Sequence, residues 1–235
     1  MIYIPPWQMK KRVKARTLAV GSVVKLMKDG TAVEFLVVNQ GKPSDLYDDS
    51  CDGTWLLRKD IYISKAWHSS DTNKYETSDI NTWLNGIFFN GLGTAEQATI
   101  KQVKIPYRKN GGSGGTDQSG TNGLSAKIFL LSGYEVGWTT SDSSYFPVDG
   151  AKLDYFESGT GTSANNKRIA NWGGVGTSYW LRSPRTDDIN YVYRVNTDGS
   201  YSWDNPSLTR GIRPALVLPS TVLFDETTMI LKGTA

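Results

Sequence analysis

The segment from Tyr179 to Leu218 limits the folds open to this chain more than any other. It opens on the apolar run Tyr179-Trp180-Leu181-Arg182-Ser183, stopped by Pro184, and closes on Ile212-Arg213-Pro214-Ala215-Leu216-Val217-Leu218. Short apolar runs bounded by turn formers read as core strands. Each run carries an arginine. A buried guanidinium needs a carboxylate or carbonyl partner, because an unpaired charge costs too much there, so Arg182 and Arg213 are expected to tie the last strands to the body. Residues 185–211 between the runs are dominated by Asp, Asn, Ser, Thr and Tyr, with Arg185, Arg194 and Trp203 added. That is the composition of a contact surface: rigid aromatics supply area at low entropic cost and small polar residues supply adaptable hydrogen bonds. Two core strands holding up such a segment describe a binding site on a rigid scaffold.

The residues expected to be displayed are Arg185, Asp187, Asn190, Tyr191, Tyr193, Arg194, Asn196, Tyr201, Trp203, Asp204 and Asn205. Strand alternation cannot put all of them on one face. Some must sit on turns, of which Asp198-Gly199 is one. Tyr and Trp would form the centre of the contact, where binding energy concentrates, and Arg, Asp and Asn would set selectivity.

The remaining chain points to one β-rich α+β domain from residue 20 to 235, preceded by a basic arm over 1–19. In the arm, Pro5-Pro6 forbids regular helix and Lys10, Lys11, Arg12, Lys14 and Arg16 gather five positive charges, read as a solvated or frayed terminus. Taking those five from the 26 basic residues leaves 21 against 23 acidic, so the net +3 is a property of the arm and nothing suggests a nucleic-acid groove. Val23–Met27 and Ala32–Val38 flank Lys28-Asp29-Gly30 and predict a hairpin. Thr54–Lys59 predicts a third strand. Ser78 is placed to cap a helix whose buried stripe is Ile80, Trp83, Leu84 and Ile87. Thr94-Ala95-Glu96-Gln97 reads as a capping box, predicting a second helix from Ala95 to about Val103 with Ala98 and Ile100 inward. Residues 108–123 are Gly/Ser-rich like a linker, yet a core strand resumes at Lys127, so they read as a long surface loop within the domain. From Gly133 to about Gly176 the pattern is irregular.

Taken together, LLRKDIY near the start, KIFLLSGYEVG in the middle, and WLRSP with GIRPAL at the end resemble the formylglycine-generating-enzyme type of C-type lectin fold, from about Val20 to Leu218. The closest resemblance is to a domain family of unknown function common in gut bacteria and their phages. Some of its members look like variable proteins of diversity-generating retroelements, in which adenine-directed mutagenesis rewrites a patch near the C-terminus. The resemblance implies small antiparallel sheets with two short helices and long loops, and a display region at about 179–218. It implies a phage or prophage receptor-recognition protein whose variable surface binds a protein or glycan on a bacterial cell. Its location would be the virion (a phage tail), or the bacterial cytoplasm before assembly, with other virion proteins as partners and a homo-oligomer left open. Asn, Tyr, Asp, Ser, Thr and Arg all arise by replacing adenines in AAC or AAT. Trp does not, so Trp203 is a fixed residue or an argument against such rewriting.

Chemistry is weakly supported, and the reading is of a protein that is not an enzyme. His68 is the sole histidine, in Trp67-His68-Ser69-Ser70-Asp71, and no nucleophile elbow accompanies it. Fold relatives that oxidise cysteine use a redox pair, whereas Cys51 stands alone. No cofactor is expected. The alternative is a non-variable, calcium-dependent carbohydrate-binding lectin, in which Asp187, Asp188, Asp198 and Asp204 would supply some of the six to eight oxygens calcium takes. GGSGG lacks the following Lys-Ser or Lys-Thr and opens no helix, which argues against phosphate binding. The N-terminus lacks the order of a secretory signal, and no apolar run approaches the length of a membrane span.

Overall fold

The apolar runs of the sequence become the strands of two five-stranded sheets in the computed structural model, which describes residues 11–234. The architecture is α+β, built mainly of small antiparallel sheets with few helices. In the first sheet the order is Ile128–Phe129, Ala215–Leu218, Thr54–Arg58, Thr31–Gln40 and Val23–Lys28, all antiparallel. The predicted hairpin is present, with Lys28 paired to Thr31 across Asp29 (φ 49°) and Gly30 (φ 77°). Positive φ at both central residues gives the turn the hand that matches strand twist. The second sheet has the order Tyr201–Asp204, Val192–Val195, Tyr179–Pro184, Thr209–Ile212 and Ile63–Ala66. One neighbouring pair, Tyr179–Pro184 with Thr209–Ile212, is parallel.

The chain passes between the sheets at two places that lie side by side. Thr54–Arg58 of the first sheet leads to Ile63–Ala66 of the second, and Thr209–Ile212 of the second leads to Ala215–Leu218 of the first. Arg213 grips both passages: Nε donates to Arg58 O (2.8 Å), Nη2 to Lys59 O (3.1 Å), and Nη1 to the Tyr179 hydroxyl (3.2 Å). Arg182 is fully buried and forks onto Glu135, with Nη1–Oε2 at 2.5 Å and Nη2–Oε1 at 2.8 Å. Its other donors reach the carbonyls of Pro106, Leu130 and Asp149. Both arginines thus have the partners their burial requires. A third, Arg168, has no apolar run around it to signal burial: it lies over the Trp138 ring and donates to the carbonyls of Val136, Glu157 and Gly159.

Several local expectations change. Residues 1–10 of the basic arm lie outside the described residues, but the rest of it is not loose. Arg12–Lys14 pairs with Leu223–Asp225 as a strand, and Ala15 and Leu18 join the core. Alternating Val13 and Ala15 inward lets the charges of Arg12, Lys14 and Arg16 stay out. Helix α1 (Asp79–Trp83) is capped by Ser78 as expected, its hydroxyl accepting Asn81 N–H. The helix then widens to a π turn over Leu84–Phe88. The extra residue per turn rotates the remainder of the helix, so Phe88 is buried and Ile87, expected inward, is 70% exposed. The capping box does not form. Helix α2 (Thr94–Thr99) begins at a Gly93 cap, Gln97 donates to the carbonyls of Asn90 and Leu92, and the chain is extended again by Val103. Glu96 and Thr99 face inward in place of Ala98, because Glu96 Oε1 accepts the Met27 N–H at 2.8 Å. The Gly/Ser-rich residues form a hairpin of Tyr107–Lys109 and Thr116–Gln118, and the irregular region contains helix α3 (Thr162–Arg168). No helix among the described residues is long and apolar enough to cross a membrane.

Replacing Glu135 with Ala leaves the Arg182 charge buried without its carboxylate, and should cost about 3–5 kcal/mol in denaturant unfolding. Asp149, beside the same pair, has its carboxyl pushed up from 3.8 to about 7, chiefly by burial. A raised folded-state pKa means that stability is greatest below pH 3.8 for this group and falls as pH rises toward 7. In Asp149→Asn that decline in thermal midpoint between pH 4 and pH 7 should disappear.

Candidate functional site

The loop from Arg185 to Tyr191 is held almost entirely by its main chain. Pro184 ends the strand, and Arg185 N–H closes the loop on Tyr191 O at 3.0 Å. Thr186 N–H donates to Tyr145 O (3.0 Å) and Ser113 N–H to Asp188 O (3.1 Å). The chief anchor is Asn73, only 1% exposed. Its Nδ2 donates to Asp188 O and Tyr191 O, both at 2.9 Å, and its backbone N–H donates to Ile189 O at 3.0 Å. Its Oδ1 accepts Gly112 N–H at 2.9 Å. Gly112 must be glycine for a steric reason: a Cβ there would lie 1.8 Å from Asp188 O and 2.0 Å from Arg185 O. The segment that read as a long surface loop is therefore a wall against which the 185–191 loop is pressed.

On this frame stands a cluster around Arg185. Its Cζ lies 4.3 Å from the Trp203 ring centre, 4.8 Å from Tyr145 and 5.9 Å from Tyr191. Asp187 holds the guanidinium from the side, Nε–Oδ1 at 3.0 Å and Nη2–Oδ2 at 2.6 Å, and this pairing lowers the Asp187 pKa and raises that of Arg185. Tyr145, Tyr191, Trp203 and Ile189 are all exposed there at between 38% and 56%. Rings packed against a guanidinium gain both cation–π attraction and a fixed orientation.

The eleven expected residues divide. Arg185, Asp187, Tyr191 and Trp203 come together in this cluster, and Asn190 sits half-buried on the same loop, its N–H donated to Asp188 Oδ1. Tyr193 does not belong to the exposed set. It is fully buried, stacked on Phe146 at 3.9 Å, with burial pushing its hydroxyl to about 12. It pairs across the sheet with Trp203, whose ring it meets edge-on, and so supports the patch from beneath. Tyr201 is half-buried on the same face, its hydroxyl on Asp142 O. Strand alternation turns Arg194 and Asp204 to the opposite face. There Asp204 Oδ2 accepts from both Arg194 and Arg210, and Arg194 also reaches Asn196. Asn205 closes a turn by accepting Ser207 N–H. Tyr145, Ile189, Asn73 and Gly112 carry no mark in the sequence that would single them out. Asn73 lies 115 residues from Asp188, and no local pattern marks a contact made through carbonyls.

The four aspartates considered for calcium hold separate partners: Arg185, Asn190 N–H, Ser200, and the Arg194/Arg210 pair. Among the described residues no group of three or more His, Cys, Asp or Glu side chains is placed to hold a metal ion. His68 Nδ1 faces both Asp79 (3.4 Å) and Ser70 Oγ (3.5 Å). A relay needs its nucleophile and its orienting carboxylate on different ring nitrogens, so this is not one. Cys51 is buried, its thiol pushed to about 12 chiefly by desolvation. A small cavity of about 220 Å³, lined by Lys11, Asp225, Thr227 and Thr228, is lined by none of the residues of the aromatic cluster.

A family model described as a domain of unknown function (DUF6273) matches residues 52–220, which include Asn73, Gly112 and the whole 185–191 loop. No curated protein and no solved structure matches the chain.

Asn73→Ala orphans the Gly112 amide and takes one of two donors from each of the Asp188 and Tyr191 carbonyls, and should cost about 1–3 kcal/mol. Its distinguishing mark is local: hydrogen exchange at the amides of Arg185, Thr186 and Ser113 should quicken, and Gly112→Ala should give the same pattern. Tyr191→Ala, which removes only a side chain, should leave those amides protected.

Proposed function

The chain belongs to the DUF6273 domain family, and from the geometry of the 185–191 loop we propose that it is a recognition protein whose aromatic surface binds a protein or glycan on a bacterial cell. The observation that carries this reading is the cluster of Tyr145, Tyr191 and Trp203 around Arg185, exposed together on a loop fixed through its backbone. Large rigid side chains around one oriented polar group are what a binding hot spot requires. The cluster presents no nucleophile beside a base, so its contribution is contact rather than catalysis.

The fuller form of the proposal is a phage or prophage receptor-recognition protein with a variable surface on a C-type lectin-like domain of the formylglycine-generating-enzyme type, carried in the virion. Anchoring by carbonyls supports it: Asn73, Gly112 and Ser113 touch main-chain atoms of the loop, so replacing Arg185, Asp187, Asn190 or Tyr191 need not alter its path. Trp203, on a strand outside the loop and braced by Tyr193, fits the role of a fixed residue. Residues 12–19 belong with the domain in this account. The calcium-dependent alternative has no observation in its favour.

Fluorescently labelled protein incubated with a panel of gut bacteria should be captured by its host strains, with and without a calcium chelator. Trp203→Ala and Tyr191→Ala should each weaken capture by about 30-fold, the effect of losing roughly 2 kcal/mol at a hot spot. Undiminished capture by both folded variants would refute the proposal.

A further inference from the structure

We infer that the ligand seated on the Arg185 cluster is an uncharged pyranose unit of a surface glycan, an inference that rests on the recognition role proposed above. Three features of the cluster select that chemistry. The first is charge. The loop carries one positive group, Arg185, and two negative ones, Asp187 and Asp188, and the positive charge is already shared with Asp187 through two hydrogen bonds. The arginines on the opposite face, Arg194 and Arg210, are likewise taken up by Asp204. A uronate, sialate or phosphate would meet a loop with a negative balance whose one cation is already paired.

The second feature is the donor. Nε and Nη2 of Arg185 are bonded to Asp187, whereas Nη1 makes no hydrogen bond among the described residues. Its N–H groups are oriented by the bidentate pair beside the aromatic rings and can donate to a hydroxyl or ring oxygen. A few oriented polar groups within apolar walls are the usual make-up of a small-ligand site. The C–H face of a pyranose carries a small positive polarisation and stacks on the negative face of an aromatic ring. Trp203, Tyr145 and Tyr191 are each exposed beside Arg185 and can offer such a face.

The third is extent. All three ring centres lie within 5.9 Å of one atom, Arg185 Cζ, so the cluster has the footprint of one or two sugar rings. A stable protein partner covers about 800 Å² on each side and would have to engage surface well beyond these side chains.

The test uses the intact chain and host cells treated in two ways. Periodate, which cleaves vicinal diols of sugars, should abolish capture, and proteinase K should leave it intact. Methyl glucoside, galactoside, mannoside and N-acetylglucosaminide are then titrated by saturation-transfer NMR beside N-acetylneuraminic acid and methyl glucuronide, at low and high salt. At least one neutral glycoside should bind at least tenfold more tightly than either acid, with less than a twofold change between salts. Trp203→Ala and Tyr191→Ala should each weaken it about tenfold. Capture that survives periodate but not protease makes the ligand a protein and overturns the sugar assignment while leaving the recognition role. A preference for the acids, weakened by salt, overturns it as well. Capture of wild type, Trp203→Ala and Tyr191→Ala to equal extent on untreated cells would instead remove the recognition role on which the inference rests.

Discussion

The buried fork between Arg182 and Glu135 is the contact on which the rest of the molecule depends. Arg182 lies in the middle strand of the second sheet, and Glu135 lies in the irregular region that covers it. Through the pair and its neighbours, the carbonyls of Pro106, Leu130 and Asp149 and the Tyr47 hydroxyl converge on one point. Burying two charges is expensive, and only a full set of hydrogen bonds offsets it. That requirement fixes where several otherwise patternless segments must pass. The residues from 133 to 150 contain little regular structure, yet they reach the sheet in one register because Glu135 and Asp149 are held there, Asp149 by Ser183. Tyr145 and Phe146 stand on that same stretch and thereby meet Arg185 and Tyr193.

Recognition surfaces need two properties that oppose each other: a defined shape and tolerance of different side chains. The 185–191 loop reconciles them by drawing its shape from groups every residue possesses. Its carbonyls are bound by Asn73 and Ser113 and crowded by Gly112, none of which contacts a loop side chain in doing so. The side chains are left to face solvent, one another and the rings of Tyr145 and Trp203.

The strands and their arginines could be read from the chain because apolar runs, proline stops and lone charges are local signals. The hairpin at Asp29-Gly30, the strand beginning at Thr54 and the Ser78 cap depend on residues a few positions apart. What could not be read depends on distant groups. Ile87 fits a helical stripe until a π turn shifts the register, and Thr94 fits a capping box until Gly93 takes the cap and Gln97 turns to the carbonyls of Asn90 and Leu92. Tyr193 looks the same as Tyr191 in sequence. Only the placement of Phe146, far back in the chain, makes one buried and the other exposed. Four of the eleven expected contact residues meet in one cluster, and alternation along two strands carries Arg194 and Asp204 away from it.

The strand Arg12–Lys14 and the strand Leu231–Gly233 flank Leu223–Asp225 in one small sheet. A pull applied to residues 12 and 233 would therefore be carried by that three-stranded sheet and the hydrogen bonds along it. The contact cluster lies off this load path, so tension transmitted through the chain while a ligand is engaged would strain the small sheet before it reached the loop.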